Sequence, residues 1–355
     1  MQNLIFILFI QFFLSSLIAQ SYDCRQLLQA VKKHDHQLVA QIVKNVRPNC
    51  SYRGDGEPRS PLGAAAMNGD IKMAKILFAA GASVEYLGSG DASALMIAAV
   101  NGHHEFVQLL VEKGASINRK ISGNGTALIF AIRGGDLDLV SYLIEKGANV
   151  NACAPYDGTA LVAAIRGNHV DIAKLLLEKG ASPEKWCRGD ENPLYHASQS
   201  DNPVFLDLLV EHGVNINEDM PGDGNALILA AKSGNLAKVK ILVENGADVN
   251  SGVRGDGNPL IQAAKGGYLD VACYLIEKGA NVNAHVYGDE TPLINAARYG
   301  HLEMVMYLVD HGADVNKSTR EGTFIRAELR SPLSMARRSG HQEVIDYLIE
   351  QGATK

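Results

Sequence analysis

Residues 291–316 read TPLINAARYGHLEMVMYLVDHGADVN, and relatives of this stretch recur along almost the whole chain. The opening tetrapeptide has the form Ser/Thr/Asn-Pro/Ala-Leu-x, and its second residues are Pro61, Ala94, Ala127, Ala160, Pro193, Ala226, Pro259, Pro292 and Pro332. A second anchor of the Gly-Ala-x-Val-Asn type begins at Gly81 and returns at the same intervals, which are 33 residues with one final step of 40. Two anchors in phase predict a repeat architecture.

Each repeat predicts two helices. The residue before the Pro or Ala is Ser, Thr or Asn in all nine repeats, which suits a helix N-cap, and Pro or Ala suits the first helical position. An Ala-rich first helix follows and ends at a Gly, Asn or Asp. The second helix, as in residues 301–312, is amphipathic. Because each pair can bury its apolar face only against the next pair, the sequence predicts an all-α solenoid.

Composition agrees with thin layers rather than a thick core. The chain has 355 residues, of which 46% are hydrophobic but only 6% aromatic, so Ala, Leu, Ile and Val must supply the packing. The hydrophobic content excludes a disordered chain. The net charge is −6 with Lys and Arg dispersed, which argues against a nucleic-acid-binding surface.

These motifs resemble ankyrin repeats, in which a hairpin-like turn and two antiparallel helices recur around T-P-L-H-x-A. The resemblance covers roughly residues 24–355 and implies about nine repeats after a degenerate N-terminal cap. The His of that motif is absent from every repeat, and the usual D-G-x-T-P becomes G-D-x-T/N-P, as in residues 255–259. This variant is similar to bacterial arrays, including those attached to antirepressor-type zinc peptidases, although the sequence shows no peptidase domain.

The expected organisation has four parts. These are a signal peptide (1–20), an N-terminal capping helix pair (21–52), the repeat array (53–316) and a C-terminal capping repeat with an extended loop (317–355). Residues 4–19 are almost entirely apolar and predict a cleaved secretory signal, hence a periplasmic or secreted protein. The alternative is an uncleaved membrane anchor, although sixteen helical residues reach only about 24 Å across a ~30 Å hydrocarbon layer.

If the protein is exported, its five cysteines can form disulfides. Cys24 and Cys50 flank the first predicted helix pair, whose ends lie on the same side, so a disulfide there is one possibility. Cys153 and Cys187 fall in neighbouring loops but are out of phase by one residue, and Cys273 lies on a helix. The alternative is that all five cysteines are reduced.

No catalytic, metal or cofactor site emerges from the sequence, so we expect a protein that is not an enzyme. His103, His169, His301 and His341 occupy one repeat position rather than a metal-binding motif. Arg-Gly-Asp triplets at 53–55, 188–190 and 254–256 could indicate an adhesion motif. Gly-Asp recurs at this position without Arg, however, which favours a turn-forming Asp that binds its own backbone.

A row of basic residues is the first candidate binding surface. It lies six residues after the Pro or Ala of each repeat and comprises Arg133, Arg166, Lys232, Lys265, Arg298 and Arg338. In an ankyrin-like stack this position lines the concave groove, and the row would complement an acidic partner surface. The alternative is that cations simply favour helix C-termini.

Exposed aromatic and Met side chains at the turn tips are the second candidate surface. The residues are Tyr86, Tyr156, Trp186, Met220 and Tyr287, with Phe324 in the seven-residue insertion near the C-terminus. Alternatively, recurrent tip residues pack on one another. The sequence thus predicts an exported, monomeric scaffold that binds another protein. The alternatives are a sensor or regulatory module related to the antirepressor systems and a protector of an extracytoplasmic enzyme.

Overall fold

The computed structural model describes residues 22–52, 60–88, 92–121, 125–154, 158–187, 190–219, 224–286, 289–321 and 328–354. The chain divides into two compact units, of which the first ends at Ala154 and the second begins at Pro155. Tyr156, Met220, Tyr287 and Phe324 lie outside the described residues, as does the predicted signal segment.

The described part of the first unit contains four helix pairs. They are α1 (Cys24–Lys32) and α2 (His36–Ile42), α3 (Pro61–Met67) and α4 (Ile71–Ala79), α5 (Ala94–Val100) and α6 (His104–Glu112), and α7 (Ala127–Gly134) and α8 (Leu137–Glu145), followed by strand β1 (Cys153–Ala154). The first pair is the N-terminal cap, and the other three are repeats.

The second unit begins with strand β2 (Gly158–Thr159), and its described part holds six pairs. They are α9 (Ala160–Arg166) and α10 (Val170–Glu178), α11 (Pro193–Gln199) and α12 (Val204–Glu211), α13 (Ala226–Lys232) and α14 (Leu236–Glu244), α15 (Pro259–Gly266) and α16 (Leu269–Glu277), α17 (Pro292–Tyr299) and α18 (Leu302–Asp310), and α19 (Pro332–Ser339) and α20 (Gln342–Glu350). The predicted fold class is therefore confirmed.

The predicted N-caps precede the first helices, and all of them except Thr126 accept a backbone hydrogen bond there. Asn258 Oδ1 accepts from the backbone N–H of Ile261 at 2.8 Å, and Ser60 Oγ accepts from that of Gly63 at 3.2 Å. Each cap satisfies a backbone donor that has no partner within its helix, which is worth about 1 kcal/mol. The caps thereby fix where each helix begins.

The core is a continuous layer between consecutive repeats within each unit. First helices pack on first helices, as α13 on α15 and α15 on α17. Ala230, Ala231, Ala263 and Ala264 are fully buried, so these helices approach closely without aromatic side chains. The second helices add larger residues such as Phe205, which is 1% exposed. Burying each Leu or Ile in this layer contributes about 1.5–3 kcal/mol.

The insertion before the last repeat forms the base of a β-hairpin. Strands β3 (Thr319–Glu321) and β4 (Glu328–Arg330) pair antiparallel, with Thr319 opposite Arg330. The sequence predicted only an extended loop here.

Among the described residues, none of the helices has the length and apolar character that would let it cross a membrane.

Candidate partner-binding surface

The basic row lies in the last turn of the first helices. Arg166 and Lys232 are the final residues of α9 and α13, and Lys265 is the penultimate residue of α15. Five members of the row are exposed, and Arg298 is half-buried. The helix dipole favours a cation at this position, so the row's placement has a local cause as well as any functional one.

Arg166 is committed to an ion pair inside its own unit. Its Nη2 donates to Oδ1 of Asp190, whose side chain is only 1% exposed. His196 Nε2 lies 3.2 Å from the same oxygen. Burial, followed by the charge of Arg166, lowers the pKa of His196, while Asp190 opposes this. His196 is therefore neutral near pH 7, and Arg166 supplies the compensating charge for Asp190.

Arg298 has a similar structural task. Glu290, 4% exposed, accepts from Arg298 Nη2 and from Arg330 Nη1, the latter at 2.7 Å. A buried carboxylate without such partners would be costly. The row therefore splits into two arginines that hold buried carboxylates and four other exposed cations. We call Arg133, Lys232, Lys265 and Arg338 the exposed basic row.

Asp190 and Glu290 were not predicted as partners of the row. Glu290 lies eight residues before Arg298 in the same repeat, a local spacing that could have indicated the pair, whereas Asp190 lies 24 residues after Arg166, beyond any local signal. Asp289 also departs from the prediction that turn Asp residues bind their own backbone. Its Oδ2 accepts from the N–H groups of Gly255 and Gly257 in the preceding turn, at 3.1 and 3.0 Å. The Arg-Gly-Asp triplet at 254–256 thus belongs to a structural turn contact.

The described turn-tip residues differ in exposure. Trp186, in the loop after α10, is 59% exposed, whereas Tyr86 is half-buried. A large exposed aromatic ring is a typical anchor for a protein partner. Trp186 is therefore the stronger candidate of the two.

The repeating histidines join consecutive repeats. Nε2 donates to the backbone carbonyl near the end of the preceding first helix, from His103 to Met67 at 3.0 Å and from His301 to Lys265 at 3.1 Å. The ring covers the glycine that ends that helix, since a Cβ added to Gly69 would lie 2.8 Å from His103 Nδ1. We call this arrangement the ring seat. Where the later position holds a ring, as at His103 and His301, the earlier position therefore requires a glycine.

One described group of three side chains has metal-ligand spacing. Asp190, Glu191 and His196 bring a ligand atom each within 4.8 Å of one another. The Arg166 guanidinium already bonds the Asp190 carboxylate, and its charge would repel a cation. This cluster therefore suits an internal ion pair better than a metal.

Comparison with known proteins settles the family. Residues 27–121, 120–186, 184–253 and 260–355 match a family model described as ankyrin repeats (3 copies). The chain belongs to the ankyrin repeat family. The crystal structure of the human ASB11 ankyrin repeat domain is similar, with a TM-score of 0.54 and 25% identity, over 62% of this chain and 98% of that one. A comparison with curated proteins finds no match.

The family fold defines the type of function. Ankyrin repeats form protein–protein interaction scaffolds that are typically non-enzymatic. In such a scaffold, binding depends on surface side chains, and contacts between the repeats hold these side chains in register.

The last Asn of the Gly-Ala-x-Val-Asn anchor keeps this register in the ankyrin array. Asn283 Nδ2 donates to the carbonyl of Gly312 at 2.8 Å, and its Oδ1 accepts from the N–H of Asp314 at 2.9 Å. The same double contact with the next repeat is made by Asn49, Asn118, Asn217, Asn250 and Asn316. We call it the Asn clamp. The sequence showed the motif but not this role.

A disulfide closes the N-terminal cap of the ankyrin array. Cys24 and Cys50 are bonded, with their Cα atoms 5.9 Å apart. Cys273 is a free thiol. The arrangement with all cysteines reduced is therefore not the one that the structure contains.

Proposed function

We propose that this protein is an exported, non-enzymatic scaffold that binds a protein partner with an acidic surface. The exposed basic row supplies the charge, and Trp186 supplies an apolar anchor. The observation that carries the proposal is that the members of the basic row have two different roles. Arg166 and Arg298 neutralise buried carboxylates, whereas Lys232 and Lys265 hold exposed charges at matching positions of consecutive repeats.

The helices that carry these charges hold them in fixed positions. Lys232 and Lys265 are carried by α13 and α15, which pack on each other through buried alanines. Cations on rigid helices need little ordering when a partner binds, so less free energy is lost to side-chain and loop entropy. An acidic surface with carboxylates at the repeat spacing would complement them.

The cysteines and the N-terminal sequence support export. The disulfide between Cys24 and Cys50 is of the kind that persists in an oxidising compartment outside the cytosol. Residues 4–19 have the composition of a signal peptide. Both features agree with a periplasmic or secreted protein.

The test is capture of the partner from an envelope fraction, with the captured protein identified by mass spectrometry. We expect the double variant Lys232→Ser/Lys265→Ser to bind it about three- to tenfold more weakly, because two complementary charges at the rim of an interface are lost. The control variant Lys174→Ser/Lys179→Ser removes the same charge from exposed positions in and after α10. Equal capture by both variants and the wild type would exclude the basic row as the binding surface.

A further inference from the structure

The first unit carries apolar side chains at a repeat position where the second unit carries cations. Met67 and Val100 are the last residues of α3 and α5, six residues after the Pro or Ala that begins each helix. Arg166, Lys232 and Lys265 hold the same position in the second unit. Because the helix dipole favours a cation in the last turn, local helix energetics does not explain an apolar residue there.

The residues one turn earlier extend this apolar surface. Ile97 precedes Val100 by three residues and Phe130 precedes Arg133 by three, so each pair lies on one face of its helix. Ile97, Val100 and Phe130 are half-buried, whereas Met67 is 46% exposed. The first unit therefore presents apolar side chains to solvent at both positions. We call Met67, Ile97, Val100 and Phe130 the apolar face.

Contacts between consecutive repeats bring the members of the apolar face together. Helix α3 packs on α5, and α5 packs on α7. At the ends of these helices, the ring seat places His103, which follows α5, against the carbonyl of Met67. A Cβ added to Gly134 of α7 would lie 2.8 Å from the carbonyl oxygen of Val100. The three helices therefore end side by side, and at the usual axial separation of about 8–10 Å their side chains form one surface.

One cation borders the apolar face. Arg133 is exposed and lies in the last turn of α7, with its guanidinium carbon 5.4 Å from the centre of the Phe130 ring. Stacking on a ring engages the flat face of a guanidinium, and the N–H groups in its plane form the fork that suits a carboxylate. The surface thus combines apolar side chains with a group for an anion at its edge.

We propose that the apolar face binds a segment of the partner protein in which an aliphatic or aromatic side chain is followed by a carboxylate. The apolar side chain lies on Met67 and Val100, and the carboxylate pairs with Arg133. A methionine adapts to the shape of such a ligand because its side chain is unbranched and polarisable. The inference rests on the proposed function and deepens it, because it adds an apolar requirement to a partner that is otherwise defined by its acidic charge.

The direct test uses two matched fluorescent probes, each held at a fixed low concentration while the full chain is titrated in. Anilinonaphthalene sulfonate has apolar rings and an anionic group, and phenylnaphthylamine has the same rings without the charge. We expect both to bind with enhanced fluorescence, and the sulfonate to bind about threefold more tightly, with a dissociation constant on the order of 0.1 mM. Absence of saturable fluorescence with both probes would overturn the inference.

Isosteric substitutions locate the binding on the apolar face. The apolar-face variant Met67→Gln/Val100→Thr introduces polar groups with little change of size and should weaken both probes at least fivefold. The control variant Met306→Gln/Val204→Thr makes the same changes in α18 and α12, at residues that are 41% and 40% exposed, and should change neither. Equal binding by the apolar-face variant and the control variant would contradict the inference.

Single substitutions separate the two parts of the surface. Met67→Gln introduces the residue that Gln199 already provides at this repeat position, so it tests the inference even if the double variant does not fold, and it should weaken both probes about threefold. Arg133→Gln should weaken only the sulfonate, also about threefold. Unchanged sulfonate binding by Arg133→Gln would show that the cation takes no part and would overturn the inference.

Two other occupants of the apolar face would give different results. If the probes bind the chain that begins at residue 21 but not the full chain, the N-terminal segment covers the face and the inference is wrong. If sedimentation velocity shows a dimer that the apolar-face variant dissociates, a second copy of the chain covers it, and the inference is equally wrong. We expect equal probe binding by both lengths of chain and no such dimer.

Affinity for the captured and identified partner separates this inference from the proposed function. We expect the apolar-face variant to bind that partner about tenfold more weakly, and the control variant to bind it as the wild type does. If Lys232→Ser/Lys265→Ser weakens binding but the apolar-face variant does not, the inference is wrong and the proposed function stands. If neither of these two variants weakens binding, the proposed function itself fails.

Discussion

At the scale of single residues, the Asn clamp is the contact that most directly couples one repeat to the next. Asn283 satisfies a carbonyl and an N–H of the following repeat, and both would otherwise need water. Glu85 and Glu184 occupy the same repeat position, but a carboxylate can only accept. Glu85 accepts from the N–H of Ser116 at 2.7 Å, and Glu184 accepts from the N–H of Asn215 at 3.1 Å. The chain therefore contains a natural comparison between a full and a half clamp.

Asn283→Ala should lower the free energy of unfolding of the second unit by about 1–3 kcal/mol, because it removes two hydrogen bonds and leaves their backbone partners without the amide. Asn283→Asp, which keeps the acceptor, should cost less. Urea titration followed by circular dichroism measures both. The control is Asn245→Ala. The Asn245 amide donates at 2.8 Å to the carbonyl of Ile241 at the end of the same helix, so it makes no contact of this kind with the next repeat. Equal losses in Asn283→Ala and Asn245→Ala would argue against the clamp.

Asp70 predicts a pH dependence of the first unit. Its carboxylate accepts from the N–H of Met73 and from His34 and His36, each at about 2.9 Å. Burial works to raise its pKa, but the hydrogen bonds from His36, Met73 and His34 hold the pKa of Asp70 below its ordinary value of 3.8. Its stabilisation is therefore present above pH 3.8 and is lost as the pH falls through the lower pKa of the folded protein.

Asp70→Asn should therefore destabilise the first unit by about 1 kcal/mol at pH 6–7, because the neutral amide keeps the N-cap acceptor but accepts more weakly from His34 and His36 than the carboxylate does. The difference from the wild type should shrink as the pH is lowered toward 3. Thermal unfolding across this pH range measures it. A difference that stayed constant with pH would show that the charge of Asp70 is unimportant.

At the scale of elements, the β-hairpin is attached to the repeat before it by charge. Arg330 of β4 and Arg298 of α17 share the buried carboxylate of Glu290. Arg330→Ala should lower the free energy of unfolding by about 2 kcal/mol, because Glu290 loses half of its compensation while one arginine remains. Adding Glu290→Ala should recover part of the loss, a coupling that a double-mutant cycle measures. Strict additivity of the two changes would contradict this role.

The N-terminal helix pair depends on its disulfide. Cys24 and Cys50 are separated by 26 residues, and a cross-link over a loop of this size stabilises by about 3 kcal/mol. Cys24→Ser/Cys50→Ser should therefore expose the amides of α1 and α2 to hydrogen exchange while those of α13–α16 keep their protection. Uniform loss of protection, or none, would show that the bond does not act locally on the cap.

Repetition made the helices predictable at this scale. Nine N-cap residues and the following Pro or Ala mark the starts, and the structure places α17 at Pro292 and α19 at Pro332 accordingly. The hairpin was not predictable in the same way, since its insertion occurs once and has no second copy to compare. A single insertion must be understood from contacts such as Arg330 with Glu290, which join residues 40 apart.

At the scale of the whole molecule, the sequence established the class of function better than its site. The basic row was visible from spacing alone, but spacing cannot distinguish Arg166, which is paired with the buried Asp190, from Lys232, which belongs to the exposed basic row. A cleft of about 710 Å³ beside Asn202 escaped notice because residues of two consecutive repeats, such as Ile165 and Pro203, line it. Only the packing of residues 200–203 near the end of α9 reveals this space.

We propose that Lys232 and Lys265 bind the partner, whereas Arg166 and Arg298 stabilise the fold. The most direct measurement is the affinity of the captured partner for the wild type, Lys232→Ser/Lys265→Ser and Lys174→Ser/Lys179→Ser at low and high salt. We expect only the first double variant to bind more weakly, and we expect its loss of affinity to narrow as salt screens the charges. Equal affinities for all three proteins at low salt would contradict it.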